Sequence, residues 1–427
     1  MKRFRLGDIA NVEISCIDKK TKEGESAVRL CNFTDVYYNW AITKNMYDGL
    51  MQASASESDI ETFSLCKGQV AITKDSETRD DIGVATYIAD DFDDVVLGYH
   101  CALITPKSDV SEDEKIYGKY LNAILHTKYA QKYFSNNATG SGQRYTLSKE
   151  SIEDMPVYLP AYKEQVRIGD YLSDIDKKIE IKNLINAELE AMAKQIYDYW
   201  FVQFDFPNED GIPYKTSGGK IIWDDTLKRE IPEGWEVSNL SSFLDFSNGI
   251  NYEKNIVGNK DYRIINVRNI TSSSIILNKA DLDVISLPSN MADRFIVDKD
   301  DLIIARSGTP GSVRLIFEPE DVIYCGFIIK GTPKKDYLKN YLMFYIKQLE
   351  GTQATNTGGS ILHNVSQETL NMLTIFTPPK DILIQFNAII DNLFSLYNKS
   401  LDQINEVIKL RDYLLPLLLN GQYTIKE

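Results

Sequence analysis

The sequence is poor in histidine and cysteine, and it lacks any long apolar run. Its five cysteines form no CxxC pair, and only His100, His126 and His363 could join them, so a zinc site is not expected and the cysteines should be reduced. No stretch of about eighteen uncharged apolar residues occurs, and residues 1–6 lead into a mixed polar pattern instead of a signal peptide. We therefore expect a globular, cytoplasmic protein without a bound metal.

Positive charge is also scarce. The chain holds 47 Lys and Arg against 62 Asp and Glu, a net charge of −15. Nonspecific affinity for nucleic acid comes largely from neutralised phosphates, so this balance excludes a protein that coats nucleic acid by charge alone. Any contact with DNA must be local, or partner subunits must supply much of the positive charge.

Motifs of the common nucleotide and metal enzymes are absent. The sequence contains no GxxxxGK[ST] phosphate loop, no NPPY-type adenine methylase motif and no HExxH. The acidic groups at residues 75–77 and 318–321 resemble nuclease metal ligands only weakly, and a solvated acidic loop explains them better. The sequence thus favours a chain without a catalytic centre, with a nuclease as an alternative.

The second half of the chain repeats the first in divergent form. Segments 28–33 and 69–74 match 263–267 and 301–306, and a helix predicted over residues 116–134 has a counterpart near 337–349. Four residues recur at an offset of 218 (366 − 148 = 218), namely Ser148, Met155, Val157 and Pro160 as Ser366, Leu373, Ile375 and Pro378. The repeat predicts two similar strand-rich domains.

A long amphipathic helix is predicted after each copy. Steps of four and three residues give a stripe in each helix with eight apolar positions out of ten, interrupted by Lys182, Asn186, Ser400 and Arg411. A helix of forty residues is about 60 Å long, so antiparallel pairing of the two helices is favoured over packing on one domain. Pro416 should bend or end the second helix near Tyr413. The predicted pairing seam is Ile168, Leu172, Ile175, Ile179, Leu189, Ile196, Phe386, Ile390, Leu393, Ile404 and Val407.

These patterns predict an α+β fold. Two similar strand-rich domains are each followed by a long α-helix, and the helices pair as an antiparallel coiled coil with pseudo-two-fold symmetry. The predicted ranges are a first domain at 1–160, a first long helix at 161–204, a connector at 205–231, a second domain at 232–379 and a second long helix at 380–421.

Several motifs resemble the specificity subunit of type I restriction-modification enzymes. The run YWFVQFDFP at 199–207, YKTSGG at 214–219 and IPEGWEV at 231–237 are similar to its central region, and LGDI at 6–9 is similar to the start of its target recognition domain. The order of the motifs, together with the duplication, covers almost the whole chain.

The resemblance implies a noncatalytic subunit that supplies DNA sequence specificity. Each strand-rich domain would be a target recognition domain that reads one half of a bipartite sequence in double-stranded DNA. The long helices would fix the spacing and dock modification subunits, two per chain, that methylate adenine, and restriction subunits would translocate and cut DNA. S-adenosylmethionine, ATP and magnesium would then be bound by those partners, and no cofactor by this chain. The alternative is a coiled-coil adaptor without DNA reading.

Candidate DNA-binding residues lie on turns that follow strands, where donors can enter a groove. In the second copy, Arg306, Ser307 and Thr309 lie on a glycine-bearing turn, and Arg306 could pair with guanine or hold a phosphate. Lys74 and Arg79 lie at the matching place in the first copy. The alternative is that the glycines form a tight hairpin and Arg306 is an ordinary surface charge.

A second group of candidates belongs to the glycine loop before the last strand of each copy. Gln143, Arg144 and Tyr145 in the first copy correspond to residues 361–363, Ile-Leu-His, in the second. Such a difference is expected of two domains that read different half-sites, although drift on a structural loop would also produce it. Further possible phosphate contacts are Arg314, Lys330, Arg268 and Lys128.

Overall fold

The computed structural model describes residues 1–142, 144–252, 256, 258–348, 350, 365–423 and 425. The chain divides into two compact units. Unit 1 comprises Met1–Ile181 and Glu406–Glu427, and unit 2 comprises Lys182–Asn405. Within the described residues, none of the helices has the length and apolar character needed to cross a membrane.

Unit 1 is built mainly from short strands. A five-stranded sheet has the order β2-β10-β6-β8-β4, and three-stranded sheets have the orders β5-β3-β9 and β11-β12-β7, while β1 pairs with β13. The strands are β1 (Lys2–Arg5), β2 (Ala10–Ile14), β3 (Ser26–Cys31), β4 (Ala41–Ile42), β5 (Met51–Ala55), β6 (Val70–Thr73), β7 (Asp75–Ser76), β8 (Ala85–Ile88), β9 (Val95–Leu97), β10 (Cys101–Pro106), β11 (Thr139–Ser141), β12 (Arg144–Thr146) and β13 (Pro156–Leu159).

The helices of unit 1 are α1 (Leu6–Ile9), α2 (Phe33–Tyr38), α3 (Glu57–Phe63), α4 (Gly118–Leu125), α5 (Lys128–Asn137), α6 (Lys149–Glu153) and the first part of α7 (Tyr162–Tyr197). The single helix predicted over 116–134 is therefore two helices. Thr127 divides them, because its side chain accepts a hydrogen bond from the Ala130 amide and caps α5.

Unit 2 repeats part of this plan. A four-stranded sheet has the order β17-β23-β20-β21, a three-stranded sheet has the order β19-β18-β22, and β16 pairs with β24. The strands are β14 (Ile221–Asp224), β15 (Arg229–Pro232), β16 (Glu236–Asn239), β17 (Leu244–Asn248), β18 (Lys260–Ile265), β19 (Asp283–Leu287), β20 (Leu302–Ala305), β21 (Val313–Arg314), β22 (Val322–Tyr324), β23 (Ile328–Pro333) and β24 (Thr374–Thr377). The remaining helices are α8 (Val267–Ser272), α9 (Ser289–Ala292), α10 (Lys339–Lys347), α11 (Gln367–Asn371) and α12 (Lys380–Leu419).

The two strand-rich domains share the central part of their topology, which agrees with the predicted internal repeat. In both, a strand pairs antiparallel with one neighbour and parallel with another, as β3 does with β5 and β9 and β18 does with β19 and β22. The short helices α2 and α8 both begin with a capping box, at Asn32 and Asn266. Ser148 and Ser366, which recur at the offset of 218, cap α6 and α11 in the same way.

The aromatic residues of the central motifs form part of the core of unit 2. A π-helical turn, Asp198–Val202, follows α7 and buries Trp200 and Phe201. Phe204 and Phe206 extend this apolar cluster. The next segment is then held in place, because the Asp205 carboxylate accepts hydrogen bonds from the Thr216 amide at 2.7 Å and the Thr216 hydroxyl at 2.6 Å. Burial of these rings explains why the motif is so rich in aromatic residues.

The long helices pack against each other within each unit. In unit 1 the early part of α7 buries Ile168, Leu172 and Ile175, with Ile179 half-buried, in a cluster with the last residues of α12, including Leu415 and Leu418. In unit 2 the late part of α7 shares a cluster with the early part of α12; Phe386 and Ile390 are buried there, and Leu189, Ile196 and Leu393 are half-buried. The helices therefore run antiparallel. Of the remaining predicted seam residues, Ile404 is buried and Val407 is half-buried.

Of the two effects expected of Pro416, a bend or an end near Tyr413, the end is wrong, because α12 continues through Pro416 to Leu419. Proline removes one backbone donor and crowds the preceding turn. Here only three helical residues follow it, and Leu415, Leu418 and Leu419 are buried in unit 1. Burial of this terminal turn compensates for the lost hydrogen bond.

Candidate DNA interface

The candidate residues of unit 2 lie where the buried strand β20 ends. The amide of Arg306 donates to the carbonyl of Phe327 at 3.0 Å, and the carbonyl of Arg306 accepts from the Val365 amide at 3.1 Å. The turn that follows returns to the sheet through Gly311, whose amide donates to the Ala305 carbonyl at 2.9 Å and whose φ of 85° favours glycine. The backbone of Arg306 is thus fixed on both sides.

The side chain of Arg306 is available to a ligand. It is exposed, and within the part of the chain that the structure describes it has no hydrogen-bond or ion-pair partner. Ser307 and Thr309 on the same turn are half-buried, and the Thr309 hydroxyl has no hydrogen-bond partner among the described residues. A guanidinium on a fixed backbone is well suited to two-pronged hydrogen bonding with guanine or with phosphate.

Lys74 holds the equivalent position in unit 1. Its amide donates to the His100 carbonyl at 2.8 Å, and its carbonyl accepts from the Leu147 amide at 2.8 Å. The second of these bonds corresponds to the Arg306–Val365 bond, and its donor Leu147 precedes Val365 by the same offset of 218 (365 − 147 = 218). The Lys74 side chain differs from that of Arg306, because only 9% of it is exposed and its Nζ lies 2.7 Å from Asp75 Oδ2.

Asp75 is the centre of a polar cluster in unit 1. Its Oδ2 also lies 2.6 Å from His100 Nδ1 and 3.5 Å from Arg144 Nη2. Burial alone would raise the pKa of Asp75, but hydrogen bonds from Lys74, Thr146 and His100 hold that pKa well below its usual range. The carboxylate therefore stays ionised and orients the donors around it.

The exposed edge of this cluster carries cations beside aromatic rings. Arg144 is 58% exposed, and its Nη2 lies 3.0 Å from His100 Nδ1. The Arg79 guanidinium lies 5.5 Å from the centroid of the Tyr145 ring, and its Nη2 donates to the Ala138 carbonyl at 3.3 Å. The structure thus brings together Lys74, Arg79, Arg144 and Tyr145. Gln143 lies outside the described residues, as do residues 361–363.

Two predicted contacts are instead used inside the fold of unit 2. Arg314 is buried, and its Nε donates to the carbonyls of Ile270 at 3.1 Å and Ser273 at 2.8 Å, while Nη1 forms an ion pair with Glu350. This arrangement caps the C-terminal end of α8.

Lys330 lies near the start of β20, away from the strand end that carries Arg306. Its Nζ lies 3.1 Å from Asp301 Oδ2, and only 14% of its side chain is exposed. Of the two remaining candidates, Arg268 is exposed and paired with Asp283, and Lys128 is exposed at the start of α5.

Sequence reasoning did not identify Tyr99 and His100, which lie directly before β10. The Tyr99 ring centroid is 5.1 Å from Lys74 Nζ and 4.1 Å from the His100 ring centroid. Their equivalents, Gly326 and Phe327, lie directly before β23. Aligning β10 with β23 would have identified this position, because Cys101 pairs with Thr73 just as Ile328 pairs with Ala305.

Comparisons with known proteins agree with the resemblance. The family model for the type I restriction modification DNA specificity domain matches residues 1–191 and 232–410. The specificity subunit of the type I restriction enzyme MjaIX from Methanocaldococcus jannaschii is 24% identical over 321 residues, 73% of this chain and 70% of that protein. The specificity subunit of HindI from Haemophilus influenzae is 22% identical over 412 residues, 81% of this chain and 85% of that protein.

The fold is also similar to that of a solved structure. The S subunit of a type I restriction-modification system from M. genitalium aligns with a TM-score of 0.52 and 12% identity, over 98% of this chain and 95% of that one. The family match extends over both copies of the repeat and most of the long helices. This chain belongs to the type I restriction modification DNA specificity domain family.

Proposed function

We propose that this chain is the noncatalytic subunit that gives a type I restriction-modification complex its DNA sequence specificity. Each strand-rich domain reads one half of a bipartite target in double-stranded DNA. The proposal rests on the two equivalent strand ends, at Lys74 in unit 1 and at Arg306 in unit 2. Their backbones form the same pattern of hydrogen bonds, but their side chains differ. A common scaffold with different donors is what two readers of unlike half-sites require.

The surface chemistry of the two strand ends differs in kind. Unit 1 presents Arg144 and His100 around an ionised, buried Asp75. Unit 2 presents Arg306 without a carboxylate partner among its described residues, and the exposed residue Phe327 is joined to it by a backbone hydrogen bond. These local donors are compatible with the overall charge of −15, because base reading needs a few placed donors and the partner subunits can neutralise phosphates.

We further propose that the long helices set the distance between the half-sites and bind the modification subunits, two per chain. α7 contributes residues to both units, and the length of a helix is set by its number of residues. Both helices also expose large apolar side chains, which mark protein-binding surfaces when they cluster. These residues include Ile181, Leu184, Ile185, Met192, Ile384, Ile389, Leu396, Leu410 and Tyr413.

In this proposal the chemistry belongs to the partners. The modification subunits would use S-adenosylmethionine to methylate adenine, and the restriction subunits would use ATP and magnesium, with the whole complex acting in the cytoplasm. Among the described residues, no group of three or more histidine, cysteine, aspartate or glutamate side chains could hold a metal ion.

The test is reconstitution. The chain is purified together with a methyltransferase subunit and incubated with a library of DNA duplexes, and the adenines that become methylated are mapped. The expected result is methylation at one bipartite sequence with a fixed gap, only when this chain is present. A coiled-coil adaptor would bind the methyltransferase without conferring a sequence preference, and a nuclease would cleave DNA alone.

The docking surface has its own test. Ile185→Glu and Leu396→Glu place a charge on an exposed apolar position and should weaken co-purification of the methyltransferase subunit. Trp223→Ala changes an exposed apolar residue of the β14–β15 hairpin and serves as the control. Undiminished co-purification of both glutamate variants would exclude these positions from the docking surface.

A further inference from the structure

The residue directly before β10 and β23 occupies the same place in both units. The carbonyl of His100 accepts from the Lys74 amide at 2.8 Å, and the carbonyl of Phe327 accepts from the Arg306 amide at 3.0 Å. Each of these residues therefore lies beside the strand-end cation of its own unit. One is a hydrogen-bonding ring and the other is an apolar ring.

His100 is held in a demanding conformation. Its φ is 76°, in the left-handed region, which costs a residue other than glycine about 1 kcal/mol or more. Its Nδ1 lies 2.6 Å from Asp75 Oδ2, and Tyr99 packs against its ring. We assign the Nδ1 proton to the contact with Asp75, the shorter of the two that Nδ1 makes, so Arg144 Nη2 at 3.0 Å is a neighbour of Nδ1 and not a hydrogen-bond partner. This assignment leaves Nε2 as the ring nitrogen that a ligand can reach. The side chain is 36% exposed.

Phe327 is 63% exposed, on a backbone that the Arg306 bond holds in place. A phenyl ring cannot hydrogen-bond to a base edge, but it can pack on the C5-methyl group that distinguishes thymine in the major groove. Contact with a base would remove this exposed ring from water, which is favourable in proportion to the apolar area that is buried.

We propose that His100 and Phe327 are equivalent specificity-determining residues, one for each half-site. His100 Nε2 accepts a hydrogen bond from an exocyclic amine, adenine N6 or cytosine N4, and Phe327 contacts a thymine methyl group. Asp75 is a positioning residue that fixes the ring of His100. This inference rests on the proposed function of the chain and names the side chains that carry it.

The experiment uses the chain assembled with its methyltransferase subunit and measures binding to every single-base variant of the target duplex. His100→Ala should lose preference at one position of one half-site by about fivefold or more, and Phe327→Ala should do the same in the other half-site. Asp75→Asn should reduce the same preference as His100→Ala, and the double variant should lose little more than either. Lys2→Ala and Met372→Ala, at exposed positions on β1 and after α11, are the controls.

A second measurement isolates the methyl contact. Deoxyuridine in place of thymidine removes only the C5-methyl group. The affinity of the wild-type complex should therefore fall when one thymine of the second half-site is replaced, and the affinity of the Phe327→Ala complex should not change. His100→Gln, which can still accept a hydrogen bond, should retain part of the preference that His100→Ala loses. These readouts differ from those of a variant that merely loosens the fold.

The outcomes separate the inference from the proposed function. If the wild-type complex reads a bipartite sequence and both alanine variants keep its preferences, the inference is overturned and the proposed function stands. If preference relaxes in only one half-site, the equivalence of the two positions is overturned. If the wild-type complex shows no sequence preference, both proposals fall.

Discussion

Arg306 permits the sharpest test of base reading, because its removal should leave the fold intact. The side chain is exposed and makes no ion pair within the described residues, while its backbone is held by Phe327 and Val365. Substitutions at such surface positions usually change the free energy of unfolding by no more than about 0.5 kcal/mol. We therefore expect Arg306→Ala to unfold like the wild type.

The effect on DNA binding should be far larger. A two-pronged arginine–guanine contact is worth about 1 to 3 kcal/mol of discrimination, or about 5-fold to 150-fold in affinity. Arg306→Ala should lose this amount at one base pair of the half-site that unit 2 reads. Arg306→Lys keeps the charge but not the planar fork, so it should lose most of the discrimination as well.

Binding of the assembled complex to single-base variants of the target, measured at several salt concentrations, separates the possible roles. If Arg306 reads a base, Arg306→Lys keeps the salt dependence of the wild type while the base preference falls. If Arg306 holds a phosphate, Arg306→Ala weakens binding equally on all sequences and lowers the salt slope by about 0.9. Equal affinity of wild type and Arg306→Ala on every duplex would refute a role in DNA contact.

Three further predictions concern stability and spacing. Arg314→Ala should destabilise unit 2 by about 1 to 3 kcal/mol, measured by urea unfolding, because it removes two hydrogen bonds to the carbonyls at the end of α8 and one of the ion pairs of Glu350, which keeps Lys347 as a partner. An unchanged midpoint would contradict this role. Burial raises the pKa of Asp176 from 3.8 to about 6, so the contribution of its protonated form to stability is full below about pH 4 and is lost as the pH rises to about 6. Asp176→Asn should therefore stabilise unit 1 by about 1 to 3 kcal/mol at pH 7 and by little at pH 4. Equal effects at both pH values would refute the shift. An insertion of four residues in each long helix adds about one turn, or about 6 Å. It should lengthen the gap between the half-sites by about two base pairs and leave the half-site sequences unchanged. New half-site sequences in methylation mapping would mean that the helices take part in reading.

The fold was predictable from periodicity and repetition. Apolar positions in steps of three and four identified the paired helices, since burial against a partner needs a continuous stripe. The offset of 218 that relates Ser148 to Ser366 identified the repeat, and both residues cap equivalent helices. The break at Thr127 and the helical position of Pro416 depend on a single cap and on terminal packing, which periodicity does not encode.

The site was only partly predictable, because a cation's role depends on its neighbours in space. Arg306 and Lys74 occupy equivalent backbone positions. The Lys74 side chain is buried in an ion pair with Asp75, whereas Arg306 has no such partner among the described residues. Arg314 pairs with a carboxylate 36 residues later, which its own segment gives no reason to expect. The equivalence of His100 and Phe327 is visible only when the strands of the two units are aligned.

Mapping of adenine methylation on random duplex DNA tests the central claim most directly. The methyltransferase subunit is assayed alone, with this chain, and with a chain in which unit 2 carries Arg306→Ala and Phe327→Ala. The account predicts methylation at a single bipartite sequence with the wild-type chain, and relaxed preference in one half only with the double variant. Methylation with the same sequence preference in the absence of this chain would contradict it.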